Sequence, residues 1–257
     1  MIEITVDKDW AQKSVRWACR RLQYTIDRPN MNPRSLAERL DDIVMGEIGS
    51  AAVAQFLVDR GNRVIAYDEV RKDGSRQPDP GWDLVVGPAL DGWPYVGDDV
   101  RMPPESAHTI SVRTSRIPKA DEDSIDLAIE RRDFKVFKKS EMIEDDLSSD
   151  YETQIFYRLS ESKMKGIGNI TEVPYIVRAA IEGSRYVGDE EFKAINRWLH
   201  LRERYGKCFL VGFISKEALT DYSRLLIESQ EPTCWNSWHG GESKEMWRAP
   251  LSLGKLP

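Results

Sequence analysis

The sequence predicts an α/β fold in which helices flank a mixed central β-sheet. Apolar residues recur at helical spacing from Leu36 to Leu57, whereas residues 108–116 and 151–157 alternate between apolar and polar side chains. Helical spacing is typical of an amphipathic helix, and alternation is typical of a half-buried strand. The apolar run 208–214 predicts a further buried strand. Helices and strands therefore mix along the chain, as in α/β proteins.

The first 35 residues are predicted to form a helical accessory segment. Trp10, Trp17 and Leu22 recur at helical spacing, and Pro29 lies a few residues further on. Because proline disrupts the helix that precedes it, we expect this helix to end before residue 27.

A longer helix is predicted over residues 36–57, where the apolar face is broad. Gly46 marks a point at which this helix could break, and Gly61 is a suitable terminator. A short strand over 63–67 should follow, since the residues there are apolar and β-branched.

The stretch from Pro78 to Pro104 carries six of the 13 prolines of the chain. Residues 84–87 within it are nevertheless compact and apolar, so we predict a buried strand there. The residues 91–104 should form a loop or irregular hairpin on the rim of the sheet. The β-branched stretch 108–116 predicts the next strand.

The rest of the chain continues to alternate between helical and extended patterns. We predict a helix over 122–137, a strand over 151–157, helices near 173–183 and 190–205, a strand over 208–214 and a helix over 216–227. The tryptophan-rich segment 234–247 suits either packing on the core or contact with nucleic-acid bases. Packing is the favoured interpretation.

Composition excludes several classes of protein. The three cysteines of this 257-residue chain are widely spaced and include no CxxC pair, which argues against a disulfide framework and a structural zinc site. No apolar run of about 18 residues and no secretion signal is visible, so we expect a cytoplasmic protein with no membrane partner. The net charge is −6. Any nucleic-acid binding must therefore use local basic patches.

Three short motifs carry the main functional indication. They are Gly46-Glu47-Ile48-Gly49 on the long helix, Trp82-Asp83-Leu84-Val85-Val86 on one strand and Ile110-Ser111-Val112-Arg113-Thr114-Ser115 on the next. Together they resemble the acidic helix, the Asp and the (Asp/Glu)-x-Lys elements of the PD-(D/E)XK nucleases. Ser111 and Arg113 stand where that family usually has an acid and a lysine.

The resemblance covers about residues 36–160 and is to type II restriction endonucleases or related defence nucleases. It implies a restriction-endonuclease-like core, Mg²⁺-dependent cleavage of double-stranded DNA and a homodimer. On this view residues 1–35 are the accessory segment, 36–160 the nuclease-like core, and 161–257 a C-terminal α/β extension packed on the core. The loop 88–107 and the C-terminal third would read DNA.

Asp83 is the first candidate for a catalytic metal ligand. Carboxylates on rigid elements can hold the Mg²⁺ that supplies hydroxide and neutralises phosphate charge. Asp83 follows a Pro-Gly corner and begins an apolar strand, so its backbone should be well fixed. The alternative is a turn aspartate that caps the corner. Asp79, which follows Pro78 directly, is the rival candidate.

The strand over 108–116 carries the most unusual residues of the motif. Ser111 and Arg113 share a face because side chains alternate along a strand. Arginine stays protonated, so Arg113 cannot act as a base but can hold a phosphate and stabilise developing charge. The carbonyl of Val112 is a further candidate metal ligand. The alternative is an exposed strand with a polar surface.

Glu47 completes the set of candidate catalytic and metal-binding residues. Small neighbours such as Gly49 and Ala51 let a helix approach a sheet closely, which would aim Glu47 at the strand ends. An exposed glutamate beside a flexible joint is the alternative interpretation.

A basic group near the strand end suggests where DNA would bind. Its candidate residues are Ser115, Arg116, Lys119, Arg131, Arg132 and Lys135. Such residues contact phosphates, although a run of charges is often only a solvated face and acidic residues follow from Glu141 onwards.

Two competing functions stay open. The first is a non-catalytic DNA-binding or assembly subunit on the same fold, for which the missing acid and lysine argue. The second is a protein-interaction scaffold, which accounts for the acidic net charge.

Overall fold

We describe the fold from a computed structural model of the chain. The described residues are 1–25, 33–71, 79–88, 90, 93, 102–117, 130–158, 173–183, 187–239 and 242–256, with the backbone alone at residues 183, 237–239 and 242.

A mixed six-stranded sheet forms the centre of the molecule. Its strands in chain order are β1 Ile2–Thr5, β2 Val64–Ala66, β3 Leu84–Val86, β4 His108–Arg116, β5 Tyr151–Tyr157 and β6 Lys207–Ser215. The spatial order is β1-β6-β5-β4-β3-β2. Strands β4 and β5 run parallel, and the other neighbouring strands run antiparallel. The predicted mixed sheet with flanking helices is confirmed.

Helices surround this sheet. They are α1 Lys8–Leu22, α2 Leu36–Val58, α3 Tyr67–Val70, α4 Ile143–Asp146, α5 Tyr175–Gly183, α6 Asp189–Leu199, α7 Leu201–Tyr205 and α8 Lys216–Glu228. A hairpin of β7 Cys234–His239 and β8 Glu242–Trp247 follows, and then a 3₁₀ turn, Leu251–Leu253. None of the helices in the described part of the chain combines the length and apolar character that crossing a bilayer requires.

Helix α2 is the element that organises one face of the sheet. It begins with a capping box, in which the Ser35 hydroxyl accepts from the Glu38 N–H and the Glu38 carboxylate accepts from the Ser35 N–H. The helix continues without a break through Gly46. At Gly49 a Cβ atom would overlap the methyl group of Thr114 on β4. Glycine at this position therefore allows α2 to lie directly against the strand that carries the candidate motif.

A buried ion-pair cluster around Asp41 locks α2 to later parts of the chain. The Asp41 carboxylate is fully buried. It accepts two hydrogen bonds from Arg204, at 2.6 and 2.8 Å, and a third from the Tyr205 hydroxyl at 2.6 Å. Arg116 on β4 donates to it at 3.3 Å. Removing one partner of such a buried group would leave a charge without compensation.

The opposite face of the sheet is covered by C-terminal residues. Phe209 and Val211 of β6 pack with Trp247 of the hairpin in a second apolar cluster. The Trp247 indole also donates to Asp146 at 2.7 Å. Packing of the tryptophan-rich arm on the core is thus confirmed for Trp247.

Part of the predicted helix over 122–137 is wrong. Residues 122–129 lie outside the described residues, but residues 131–137 are not helical, and Asp133 and Phe137 form β-bridges. The Phe134 N–H donates to the Ala249 carbonyl at 2.7 Å, and Phe137 forms a bridge with Met246. Backbone pairing with the C-terminal arm therefore overrides the helical spacing of these residues.

Other elements differ from the prediction in smaller ways. The predicted helix 190–205 is two helices, because His200 adopts a left-handed backbone conformation with φ of 50°. Strand β1 and the β7–β8 hairpin were not predicted. The central sheet takes β1 from the predicted accessory segment, β2 to β5 from the predicted core and β6 from the predicted extension.

Candidate functional site

A cavity of about 280 Å³ lies where α1, α2, the start of β3 and the middle of β4 meet. Candidate residues from all three motifs line it, namely Glu47, Asp83, Val112 and Arg113. Arg21, Gly46, Ser50 and Asp79 also line it. The structure thus brings together the predicted residues of the long helix and of both strands, although they are up to 66 positions apart in the sequence.

Glu47 is held in this cavity by a residue that the motifs do not include. The side chain is 9% exposed, and its Oε1 accepts from Arg21 Nη1 of α1 at 2.6 Å. Burial raises the pKa of Glu47 to about 8, with Asp68 adding to the rise and Arg21 opposing it. Burial thus outweighs the ion pair, and Glu47 is a carboxylate that a further nearby cation would stabilise.

Arg21 and Arg71 bind the acidic residues next to Glu47. Arg21 contacts Asp68 at 3.2 Å and Asp79 at 2.5 Å. Arg71 contacts the same two carboxylates, at 3.0 and 2.7 Å. Asp79, the rival ligand candidate, is therefore shared between two arginines. Asp83 forms no such ion pair with Arg21 or Arg71 within the described ranges, so of the two it is the carboxylate more available to a metal ion.

Asp83 sits directly before β3, as the motif predicts. Its N–H donates to the Ile110 carbonyl at 2.9 Å, and its Oδ2 accepts from the Val112 N–H at 2.7 Å. The preceding corner needs Gly81, which has φ of 100° and lies against Ser148. Burial raises the pKa of Asp83, and the hydrogen bond from Val112 and the charge of Arg113 oppose that rise.

The two unusual motif residues have different environments. Ser111 is 1% exposed, whereas the Arg113 side chain is 42% exposed, and Arg113 is among the residues that line the cavity. Arg113 can therefore reach a substrate, while Ser111 is closed off from solvent. A buried serine hydroxyl supplies no negative charge at this position.

A buried carboxylate that the motifs do not include lies on the next strand. Glu152 of β5 is 3% exposed and is the register partner of Ser111. Burial raises the pKa of Glu152, Arg113 opposes the rise, and Asp83 adds to it. The only sequence signal for Glu152 was its place in the alternating stretch 151–157, because the pairing of β4 with β5 is not visible in the sequence.

The oxygen donors of the cavity are of the kind that one magnesium ion uses. Within the described ranges, no three His, Cys, Asp or Glu side chains stand close enough to hold a metal ion among themselves. Mg²⁺, however, keeps several waters and is usually bound by one or two carboxylates together with substrate phosphates. Glu47 and Asp83 are two such carboxylates on one cavity. Burial disfavours the charge of both, so a divalent cation would stabilise them.

The predicted DNA-binding residues have unequal access to a ligand. Ser115 is buried and accepts from the Gln154 amide at 3.2 Å. Arg116 donates to Asp42 at 2.8 Å and belongs to the Asp41 cluster. Arg131 is exposed, and Lys119 lies outside the described residues.

Lys135 and its neighbours form the most strongly positive part of this set. Burial, together with the charges of Arg132, Arg116 and Arg113, lowers the pKa of Lys135 to about 8. Positive charges this close repel one another, and a bound anion reduces that repulsion. A phosphate group would relieve this repulsion.

Comparison with known proteins adds no information about the role of these residues. The chain matches no known protein family, no curated protein and no solved structure.

Proposed function

We propose that this protein is an endonuclease that hydrolyses phosphodiester bonds in double-stranded DNA, with a restriction-endonuclease-like core. The observation that carries the proposal is the shared cavity of Glu47, Asp83 and Arg113. The buried carboxylate of Glu47 and the half-buried carboxylate of Asp83, beside a partly exposed arginine, are the parts that phosphodiester hydrolysis requires, namely cation ligands and a clamp for phosphate charge. The resemblance to type II restriction endonucleases adds Mg²⁺ dependence and a homodimer to the proposal.

Arg113 has the clearest role in the proposed reaction. Its guanidinium holds a non-bridging phosphoryl oxygen and stabilises the charge that grows there in the transition state. Because Arg113 keeps its proton, it cannot activate water. Asp83 and Glu47 would hold Mg²⁺, with the Val112 carbonyl as a further donor. The bound ion would supply the activated water and additional neutralisation of charge.

The backbone contact of Asp83 supports precise placement of this ligand. A carboxylate with one oxygen fixed by the Val112 N–H presents its other oxygen in a defined direction. The same hydrogen bond ties Asp83 to the strand that carries Arg113. Ligand and clamp are thus held close together, since Val112 precedes Arg113 directly, and catalysis by positioning needs such a fixed arrangement.

DNA would reach the cavity along the basic residues after β4. Lys135 lies within electrostatic range of Arg132, Arg116 and Arg113, so one phosphate backbone could run along this group. Phosphate contacts of this kind fix the register of the duplex and carry no sequence information. They also make affinity fall with added salt.

Plasmid cleavage tests the proposal directly. The purified protein is incubated with supercoiled plasmid in Mg²⁺, in Mn²⁺ and in EDTA, beside a Glu47→Gln variant. We expect nicked or linear plasmid with metal, none in EDTA and a strongly reduced rate for the variant. Cleavage that persists in EDTA, or that is equal in the variant, would contradict the proposed site.

A non-catalytic DNA-binding subunit is the second candidate, and Arg21 favours it. The Arg21 guanidinium already pairs with Glu47, Asp68 and Asp79 and offsets part of their negative charge, which reduces the need for a metal ion. This alternative predicts duplex DNA binding that falls steeply with salt, together with no cleavage in Mg²⁺ or Mn²⁺. Gel-shift and cleavage assays on the same preparation separate the two candidates.

A further inference from the structure

Glu152 and Ser111 lie side by side on neighbouring parallel strands. Their Cα atoms are register partners, and Arg113 follows Ser111 by two residues on the same strand. Side chains of register partners point to the same face of a sheet, as do residues two apart along one strand. Ser111, Arg113 and Glu152 therefore share one face.

Among the residues that the structure describes, two buried atoms of this group find no hydrogen-bond partner. They are Arg113 Nε and Glu152 Oε2. The two atoms are 3.6 Å apart, which is an ion-pair distance beyond a good hydrogen bond. The other carboxylate oxygen, Oε1, accepts from the Ser149 hydroxyl at 3.0 Å. Buried polar atoms without partners are rare in folded proteins, so this pair needs an explanation.

We propose that Glu152 is a positioning residue that holds the Arg113 guanidinium at the cavity, and so supplies the negative charge that Ser111 lacks. The Ser111 hydroxyl, beside Glu152 in the strand register, helps to keep the pKa of that carboxyl from rising further. Ser149 anchors one carboxylate oxygen, and the other faces Arg113. The proposal rests on the function proposed above, because it assigns Arg113 a phosphate to hold.

The arrangement explains how an arginine can act in this position. An arginine side chain has many rotamers, and holding one of them costs conformational entropy. A buried carboxylate that pairs with Nε directs the two terminal nitrogen atoms outward, where a phosphoryl oxygen can bind both. Because Arg113 Nε and Glu152 Oε2 are 3.6 Å apart, this distance can shorten to a hydrogen bond when the guanidinium binds a phosphate.

A double-mutant cycle tests this inference. The rate of a single turnover at saturating DNA is measured for the parent, Glu152→Gln, Arg113→Ala and the double variant. We expect Glu152→Gln to lower the rate by about tenfold in the parent but by less than about twofold when Arg113 is already Ala, because coupled residues are not additive. Equal effects in both backgrounds would overturn the proposal.

Two further variants separate positioning from a general structural effect. Glu152→Asp keeps the charge and should recover part of the rate that Glu152→Gln loses. Glu217→Gln removes the same type of charge from the exposed side of α8 and should leave the rate unchanged. Full loss with Asp and Gln alike, at unchanged thermal stability, would count against a positioning role.

Metal binding distinguishes this role from that of a metal ligand. Titration with Mn²⁺, followed by electron paramagnetic resonance, should give the same affinity for the parent and for Glu152→Gln. A loss of Mn²⁺ affinity of tenfold or more would make Glu152 a ligand instead and overturn the proposal.

The Arg113–Glu152 pair can also be tested without DNA cleavage. If the parent does not cleave DNA, the nuclease proposal fails, yet the Arg113–Glu152 pair can still be examined by NMR with ¹⁵N-labelled arginine. Arg113→Ala identifies the Nε–H signal. Glu152→Gln should shift that signal and speed its exchange with water, and an unchanged signal would refute the pairing.

Discussion

Arg21 Nη1 donates to Glu47 Oε1 across 2.6 Å, so a helix outside the motif region neutralises one of the two candidate ligands. The same guanidinium reaches Asp68 and Asp79. Whatever cation enters the cavity must share Glu47 with Arg21. This relationship makes the charge state of Glu47 the first property to test.

The stability of the protein should depend on the ionisation of Glu47. Its pKa is about 8 in the folded protein, against about 4.3 in an unfolded chain. Between these values the folded state binds more protons, so the free energy of unfolding should decrease as the pH rises from about 4.5 to 8. Glu47→Gln should remove on the order of 2 kcal/mol of this decrease, measured by urea denaturation at pH 5, 6.5 and 8. The same pH dependence in parent and variant would contradict the expectation.

Asp83→Asn should abolish cleavage and leave DNA binding intact or stronger. The substitution removes a metal ligand and also a negative charge that repels phosphate. Cleavage and gel-shift assays on one preparation measure both effects. Asp221→Asn, on the exposed side of α8, is the matched control. If Asp83→Asn cuts at the parental rate, Asp79 becomes the residue to test.

Arg113 should tolerate replacement by another cation but not by a neutral residue. Arg113→Lys should keep measurable cleavage, because the proposed role needs a positive charge and does not require the residue to give up a proton. Arg113→Ala should lower the rate on the order of 10²-fold or more. The comparison is made at one salt concentration, because the lost phosphate contact also weakens binding. Equal rates of Ala variant and parent would reduce Arg113 to a surface residue.

DNA affinity should depend on pH through Lys135. Its pKa in the folded protein is about 8, so the amine carries its charge below that pH and loses it above. We expect the dissociation constant for duplex DNA to rise about three- to tenfold between pH 7 and 9 at constant salt. Lys135→Arg should flatten this dependence because arginine stays protonated. Fluorescence anisotropy at several pH values provides the measurement, and an unchanged slope in the Arg variant would exclude Lys135.

Gly49→Ala should destabilise the protein although alanine favours helices. The new Cβ would overlap the Thr114 methyl group, and overpacking costs about 1–3 kcal/mol. Thr114→Ser removes that methyl group and should restore most of the lost stability in the double variant. Chemical denaturation of the two single variants and the double variant checks this. Additive losses would show that the helix and the strand are not in the expected contact.

The elements with strong local patterns were predictable from the sequence. Strands β4 and β5 have the predicted bounds, His108–Arg116 and Tyr151–Tyr157, because alternation over several residues reports burial on one face. Helix α2 begins at the predicted residue, since its apolar face is long and its start is capped. Local physical chemistry decided these cases.

Distant contacts decided the cases that the sequence did not predict. Strand β1 has four residues and pairs with β6, some 200 positions later. Residues 131–137 carry helical spacing but pair with the C-terminal arm. Arg21 and Glu152 reach the candidate site through helix packing and strand register, and neither relationship leaves a local pattern.

The pairing of β1 with β6 has a consequence for the order of events during synthesis. Ile2 pairs with Leu210, and Asp41 of α2 binds Arg204, so both partners exist only after about four fifths of the chain has left the ribosome. Loop closure over such separations is slow compared with local folding. Until then the first strand lacks its neighbour, and the Asp41 carboxylate lacks its guanidinium. The cavity residues from 21 to 113 are therefore synthesised long before the contacts that brace α2, and the nascent protein should complete its site late.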